Sequence, residues 1–222
     1  IRRPPRSTLS SSSAASDVYK RQIQGEGFHT GRSAVFVRFS GCNLWSGHEK
    51  DRENAICNFC DTDFIGTDGP GGGRFQTPND LVENILSKWP SGSIEERFVV
   101  FTGGEPLLQM DEELINVLHF NKFEIAIETN GTINAPKNID WVCVSPKAGS
   151  DLVITKGNEL KLVYPQHGID PSQYENLNFD HFSLQPMDNE NLNENIQKTI
   201  KYCHEHPLWR LSLQTHKFVG IP

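Results

Sequence analysis

From Ser33 onward, apolar positions fall in short runs that alternate with helical patterns. The runs AVFVRF (34–39), FVVFT (98–102), FEIAIE (123–128), WVCVS (141–145), NELKLVY (158–164), HFSLQ (181–185) and WRLSLQ (209–214) have strand length and are rich in β-branched and aromatic residues. Three segments between them carry helix signals. In TPNDLVENILSKW, Thr77 suits an N-cap, Pro78 the first helical position and Asp80 the reciprocal cap, with Leu81, Ile85, Leu86 and Trp89 on one face. DEELINVLHF opens on acidic residues that favour a helix N-terminus, and NLNENIQKTIKYCHEH ends in cations before Pro207. Strands alternating with helices predict an α/β fold with a mostly parallel sheet, either doubly wound or forming a whole or partial (β/α) barrel. The chain of 222 residues suits a single domain, placed at 23–222. No internal repeat is visible, and GTDGPGGGRF (66–75) lacks the Lys and Ser/Thr of a phosphate-binding loop, so it reads as a flexible connection.

Chemically capable residues cluster at the ends of these runs. SGC, TGGEP, ETNG, SPK, QPMD and QTHK follow the first, second, third, fourth, sixth and seventh runs. In barrel-like folds the loops after the strand C-termini converge, and active sites are built there.

Residues 1–22 differ from everything after them. They hold a basic Pro/Arg cluster and a Ser/Ala run, with no apolar stretch long enough for a signal peptide. A basic nucleic-acid arm is one reading of such a segment; a foreign, disordered stretch outside the domain is the one adopted. The segment carries five of the 21 Lys+Arg and one of the 28 Asp+Glu, so the rest holds 16 against 27, a net of −11. So acidic a body argues against nucleic-acid binding, and strand-sized apolar runs argue against a membrane span.

Three of the five cysteines, Cys42, Cys57 and Cys60, stand close together. The clustering and the odd count favour a reducing cytoplasm and metal ligation over disulfides. One candidate is a zinc site with His48 or His29 as fourth ligand. The other is an iron-sulfur cluster with three protein ligands and one open iron, the position where chemistry happens. Cys143, between Val142 and Val144, and Cys203, in a helical segment, read as small buried hydrophobes.

Three cysteines after the first strand of a barrel and GGEP after the second resemble the radical S-adenosylmethionine superfamily. There, three thiolates hold a four-iron, four-sulfur cluster whose open iron binds the cofactor. Fourteen residues separate Cys42 from Cys57, whereas the superfamily's usual spacing is three. The ordered set QGEG, RFSGCNLW, CDTDF, TGGEP, ETNG, VSPK, NELKLV, QPMD and QTHK is similar to the 7-carboxy-7-deazaguanine synthases that carry an insertion in the cluster loop. The resemblance covers Ile23 to Pro222.

It implies that an electron from the cluster cleaves S-adenosylmethionine to a 5′-deoxyadenosyl radical. By the same resemblance, Gly103 and Gly104 admit the methionine moiety closely and Glu105 accepts from its ammonium. Phe59, Asp61, Ser145, Pro146, Lys147, Gln185, Pro186, Met187 and Asp188 line the cofactor pocket. The implied substrate is 6-carboxy-5,6,7,8-tetrahydropterin, met by Ile23, Gln24, Gly25, Glu26, Arg38, Thr102, Glu128, His216 and Pro222, the last through its terminal carboxylate. Arg38 interrupts an apolar strand, and its guanidinium can grip a carboxylate bidentately; an ion pair with Glu26 or Glu128 is the alternative. His216 equally suits a surface position. Thr62 would be read as a turn residue from sequence alone; the resemblance makes it a magnesium ligand. It also implies a homodimer, an electron donor such as flavodoxin or ferredoxin, release of ammonia and a product that feeds queuosine synthesis. A glycyl-radical activase would share cluster and cofactor but take a protein substrate; QGEG, Arg38 and the terminal proline favour the pterin enzyme. A zinc-stabilised, non-enzymatic domain is the other alternative. In the resembling family the first strand runs directly into QGEG. Here SDVYKR stands in that place, which predicts a surviving fold with a weakened first edge.

Overall fold

The computed structural model describes residues 13–18 and 21–221. In chain order its elements are β1 (Ser13–Val18), β2 (Gln22–Ile23), β3 (Ser33–Phe39), β4 (Gly73–Phe75), α1 (Pro78–Lys88), β5 (Phe98–Gly103), α2 (Glu112–Phe120), β6 (Glu124–Thr129), β7 (Trp141–Val144), β8 (Lys156–Tyr164), β9 (Asn178–Pro186), α3 (Leu192–Glu205), β10 (Trp209–Leu211) and α4 (Thr215–Val219). The sheet runs β10-β9-β8-β7-β6-β5-β3-β1-β4, with β2 paired to β3. All neighbours from β3 to β10 are parallel; β1, β2 and β4 add antiparallel pairs at the β3 side.

The order of the parallel strands never reverses. Right-handed crossovers then place every connecting helix on one face, whereas a doubly wound sheet needs a reversal. The fold is therefore a partial barrel, with α1, α2 and α3 outside and an open concave face inside. Helix α1 starts where its cap residues dictate: Thr77 Oγ1 accepts from Asp80 N–H, and the Asp80 carboxylate accepts from Thr77 N–H.

Alternation along the strands sorts residues between the faces. Val35, Val37 and Phe39 of β3, Val99 and Phe101 of β5, Ile125 and Ile127 of β6, and Leu160 and Leu162 of β8 pack under the helices, against Leu81, Ile85, Leu114, Ile115 and Leu118. On the other face a small cluster, Ala34, Phe98, Val100 and Ala126, lies at the strand N-termini. Arg38, Thr102, Glu128 and Lys161 occupy that same face at the strand C-termini. Residues 24–32 run down this open face. Phe28 N–H donates to the Glu159 carboxylate at 3.1 Å, its ring stacks on Trp141 and His181, and Arg32 pairs with Glu124.

Three expectations change. Residues 13–18, assigned to a segment outside the domain, form β1, which pairs with both β3 and β4. That pairing makes strand β4 of Gly73–Phe75, within the stretch read as a flexible connection. The last predicted strand stops at Leu211: Ser212 N–H makes the final bond to β9, at Leu184 O, and the chain then turns into α4, whose Thr215 bonds Gly25. Among the described residues no helix is long and apolar enough to cross a membrane.

Candidate active site

The C-terminal ends of the parallel strands open into a cavity of about 580 Å³, within the usual range of small-molecule sites. Cys42, Cys57, Phe59, Cys60, Asp61 and Thr62 form one wall; Ser145, Lys147 and Gln185 to Asp188 form another. Ile23 to Glu26, Arg38, Thr102, Gly103, Gly104, Glu128 and His216 complete it. Pro146 is buried outside this wall, and Pro222 lies outside the described residues.

The loop after β3 is bound to the loops after β5 and β6. Gly104 N–H donates to Phe39 O and Glu105 N–H to Gly41 O, while Asn130 and Thr132 bond the Asn43 side chain. A Cβ on Gly104 would sit 1.9 Å from Gly41 O, so only glycine allows this approach. The need for Gly104 is thus met by the protein itself: the cysteine loop fills the space where a side chain would be. Glu105 is fully buried, behind the cavity wall and not on it. Its carboxylate accepts from Leu107 N–H, Thr129 Oγ1 and Asn130 N–H at 2.7–3.0 Å, tying β5 to β6. Burial pushes this carboxyl above its ordinary value against the pull of those donors.

The fourteen-residue stretch between Cys42 and Cys57 is ordered around Arg52, in a short 3-10 turn (Glu49–Asn54). Its guanidinium donates to Asn58 O and Cys60 O at 3.0 Å, lies over the Trp45 ring at 4.1 Å and pairs with Glu49. The insertion thereby grips the C-x2-C segment from outside.

The three thiols are free. Leu44 N–H donates to Cys42 Sγ at 3.4 Å. A shared hydrogen bond splits Cys57 and Cys60: it pulls Cys60 down to about 6 and pushes Cys57 well up, with burial raising both. Lys147 lies nearby, its Nζ donating to Ser145 O and Oγ. Burial holds that ammonium below its ordinary 10.5, and the Cys57 and Cys60 sulfurs pull it back up. Among the described residues no three of His, Cys, Asp and Glu converge on a single ion position. His48 is exposed, and His29 packs on Trp141 and Phe98 at the far end of the sheet. The zinc alternative therefore lacks its ligand set. Three thiols on one cavity wall beside the half-buried ammonium of Lys147 fit a larger cluster, which takes one thiolate per iron.

At the other side of the cavity, Lys161 Nζ donates to Glu26 Oε2 at 2.6 Å and Glu128 Oε2 at 2.8 Å. This is the ion pair that the sequence allowed for Arg38. Gln24 holds Glu128, and Gln214 joins Glu26 to Asp61. Lys217 bridges Asp61 and Asp188, closing α4 over the mouth. His216 packs on Gly25, where a Cβ would lie 2.1 Å from Nδ1. Sequence reasoning missed Lys161, Gln214, Lys217 and Asn130. The signal for Lys161 was legible in NELKLVY: two charges two residues apart between leucines put Glu159 and Lys161 on one strand face, opposite the core.

A curved parallel sheet whose first βα loop presents three cysteines to a cavity at the strand C-termini defines a class, and the Radical SAM superfamily pattern matches residues 52–221. That family implies a four-iron, four-sulfur cluster and S-adenosylmethionine. Similar curated proteins are 7-carboxy-7-deazaguanine synthases. That of Bradyrhizobium diazoefficiens is 58% identical over 199 residues, 90% of this chain and 94% of that protein. That of Caulobacter vibrioides is 54% identical over 200 residues, 90% and 95% of the two. The crystal structure of QueE from Escherichia coli superposes with a TM-score of 0.70 at 25% identity, covering 92% of this chain and 95% of that one. This chain belongs to the radical SAM superfamily and, within it, to the 7-carboxy-7-deazaguanine synthase family.

Proposed function

We propose that the chain converts 6-carboxy-5,6,7,8-tetrahydropterin to 7-carboxy-7-deazaguanine with release of ammonia, for 7-deazapurine and queuosine synthesis. The observation that carries this reading is one cavity with three free cysteines on one wall and Arg38, Glu26, Glu128 and Lys161 on another. The conversion is a rearrangement with loss of ammonia and consumes no net oxidant.

Cys42, Cys57 and Cys60 would hold the cluster, which when bound would supply the electron for reductive cleavage of S-adenosylmethionine. Ser145 and Lys147 present a hydroxyl and an ammonium to that cofactor's ribose and carboxylate, and Gln185 to Asp188 cover it. Thr62, on the cavity wall between two acidic residues, is the magnesium ligand; the ion needs only one or two protein oxygens beside the substrate carboxylate. Arg38 grips that carboxylate, and Glu26 and Glu128 accept from the N–H groups of the pterin edge. Lys217 and Gln214, bonded across the mouth, exclude water from the reacting centre. A flavodoxin or ferredoxin supplies electrons, and the working form is a cytoplasmic homodimer.

The test is an anaerobic assay of reconstituted protein with S-adenosylmethionine, magnesium, dithionite and the carboxypterin, read by mass spectrometry. Product that disappears in Cys57→Ala supports the reading. Cofactor cleavage without 7-carboxy-7-deazaguanine would keep the radical chemistry and reject this substrate.

A further inference from the structure

Lys161 is 4% exposed and faces two carboxylates inside the cavity. A buried cation needs partners, and two adjacent carboxylates without a cation share a proton. One ammonium, that of Lys161, is bonded to both carboxylates. Each carboxylate also receives one amide donor: Gln214 Nε2 on Glu26 Oε1 at 2.8 Å and Gln24 Nε2 on Glu128 Oε1 at 2.9 Å. An ionised carboxylate offers about four lone-pair sites, so the pair keeps acceptor capacity toward the cavity.

We propose that Lys161 is the positioning residue of the substrate end: it fixes Glu26 and Glu128 as a pair of pure acceptors and so makes the cavity select a donor-rich, guanidine-like ligand edge. The inference rests on the pterin reading. Without the cation, one carboxyl of the pair takes a proton and presents a donor where the ligand also presents one.

The surroundings fit this role. Burial works to raise the Glu26 carboxyl, yet Lys161 and the Gln214 bond bring it below its ordinary value. Burial opposes the charge on Lys161, and Glu128 and Glu26 override it, holding the ammonium well above its ordinary value. The other charged and titratable groups around Lys161 are Glu159 on β8, Cys143 on β7, Arg38 on β3, Lys147 after β7, Asp61 in the cysteine loop and His216 in α4. Glu159 is committed elsewhere, accepting from Phe28 N–H and Ser183 Oγ. Lys161 is therefore the cation that the structure bonds to both acceptors.

The test compares binding of 6-carboxypterin with 6-carboxylumazine, in which an oxygen replaces the 2-amino group. It uses reconstituted protein with S-adenosylmethionine and reads ligand fluorescence. Wild-type protein is expected to prefer the pterin by about a hundredfold, the upper end for one hydrogen bond to a charged group. Lys161→Met loses most of that preference. Lys161→Met combined with Glu26→Gln regains about tenfold in pterin affinity, because a lone carboxylate has no neighbour with which to share a proton. A merely structural lysine predicts no such recovery. Retention of the full preference in Lys161→Met overturns the proposal, as does loss of fold in both variants, which would assign Lys161 to stability alone. Wild-type protein that binds neither ligand overturns the pterin reading and this inference with it.

Discussion

Beneath α1–α3, Val37, Phe101, Ile127 and Leu162 are fully buried against apolar helix residues. One position along the same strands, on the opposite face, Arg38, Thr102, Glu128 and Lys161 surround a cavity. The first face is held by non-directional burial and would tolerate similar shapes. The second is held by a few specific bonds among charged groups, each of which leaves a partner stranded if removed. Stability and function are thus separable here by the parity of a strand position.

Cys57→Ala should separate the two faces most sharply. Turnover should vanish and iron content fall, while the melting temperature of the cluster-free protein stays near that of wild type, because the cysteine loop lies outside the main apolar cluster. A matching fall in melting temperature would show that the two faces are not separable. Leu118→Ala, in the helix-covered face, should do the reverse: about 2–5 kcal/mol of stability lost in urea denaturation, with activity per folded molecule retained.

Gly104→Ala tests the join between strand end and cysteine loop. With Gly41 O only 1.9 Å from the new Cβ, the loop must move, and most of the bound iron should be lost, as colorimetric iron analysis would record. Arg52→Ala should lose less, since Asn43 and Gly41 still anchor Cys42. Unchanged iron would mean that the insertion does not hold the C-x2-C segment.

The smallest effect is in pH. Burial raises the Glu26 carboxyl but Lys161 lowers it further, so its contribution is present above the ordinary 4.5 and lost as pH falls through the lower folded value. Burial lowers Lys161 but Glu128 and Glu26 raise it more, so its contribution is present below 10.5 and lost as pH rises through the higher folded value. The difference in urea midpoint between wild type and Lys161→Met should be largest in the upper part of that window, shrink as falling pH protonates the carboxyls left without their cation, and be smallest in acid. A difference that persists in acid would detach Lys161 from Glu26.

Local patterns carried a large part of this molecule in the sequence. Runs of alternating residues fixed the strands, Thr77 and Asp80 fixed where α1 begins, and the polar tails of six runs marked the rim where the cavity stands. The order of motifs pointed to the family, and Cys42, Cys57 and Cys60 line that cavity. These signals are local because alternation, caps and turn residues act over a few positions. Pairings across long separations were settled by the folded chain alone. Strand order chose a partial barrel over a doubly wound sheet, and Ser13–Val18 found β3 and β4 despite its unpatterned sequence. Glu105 became a tie between strands, and Lys161, 135 residues from Glu26, became the cation of its pair. A charge shows in sequence that it needs a partner; which partner it meets depends on which strands lie side by side.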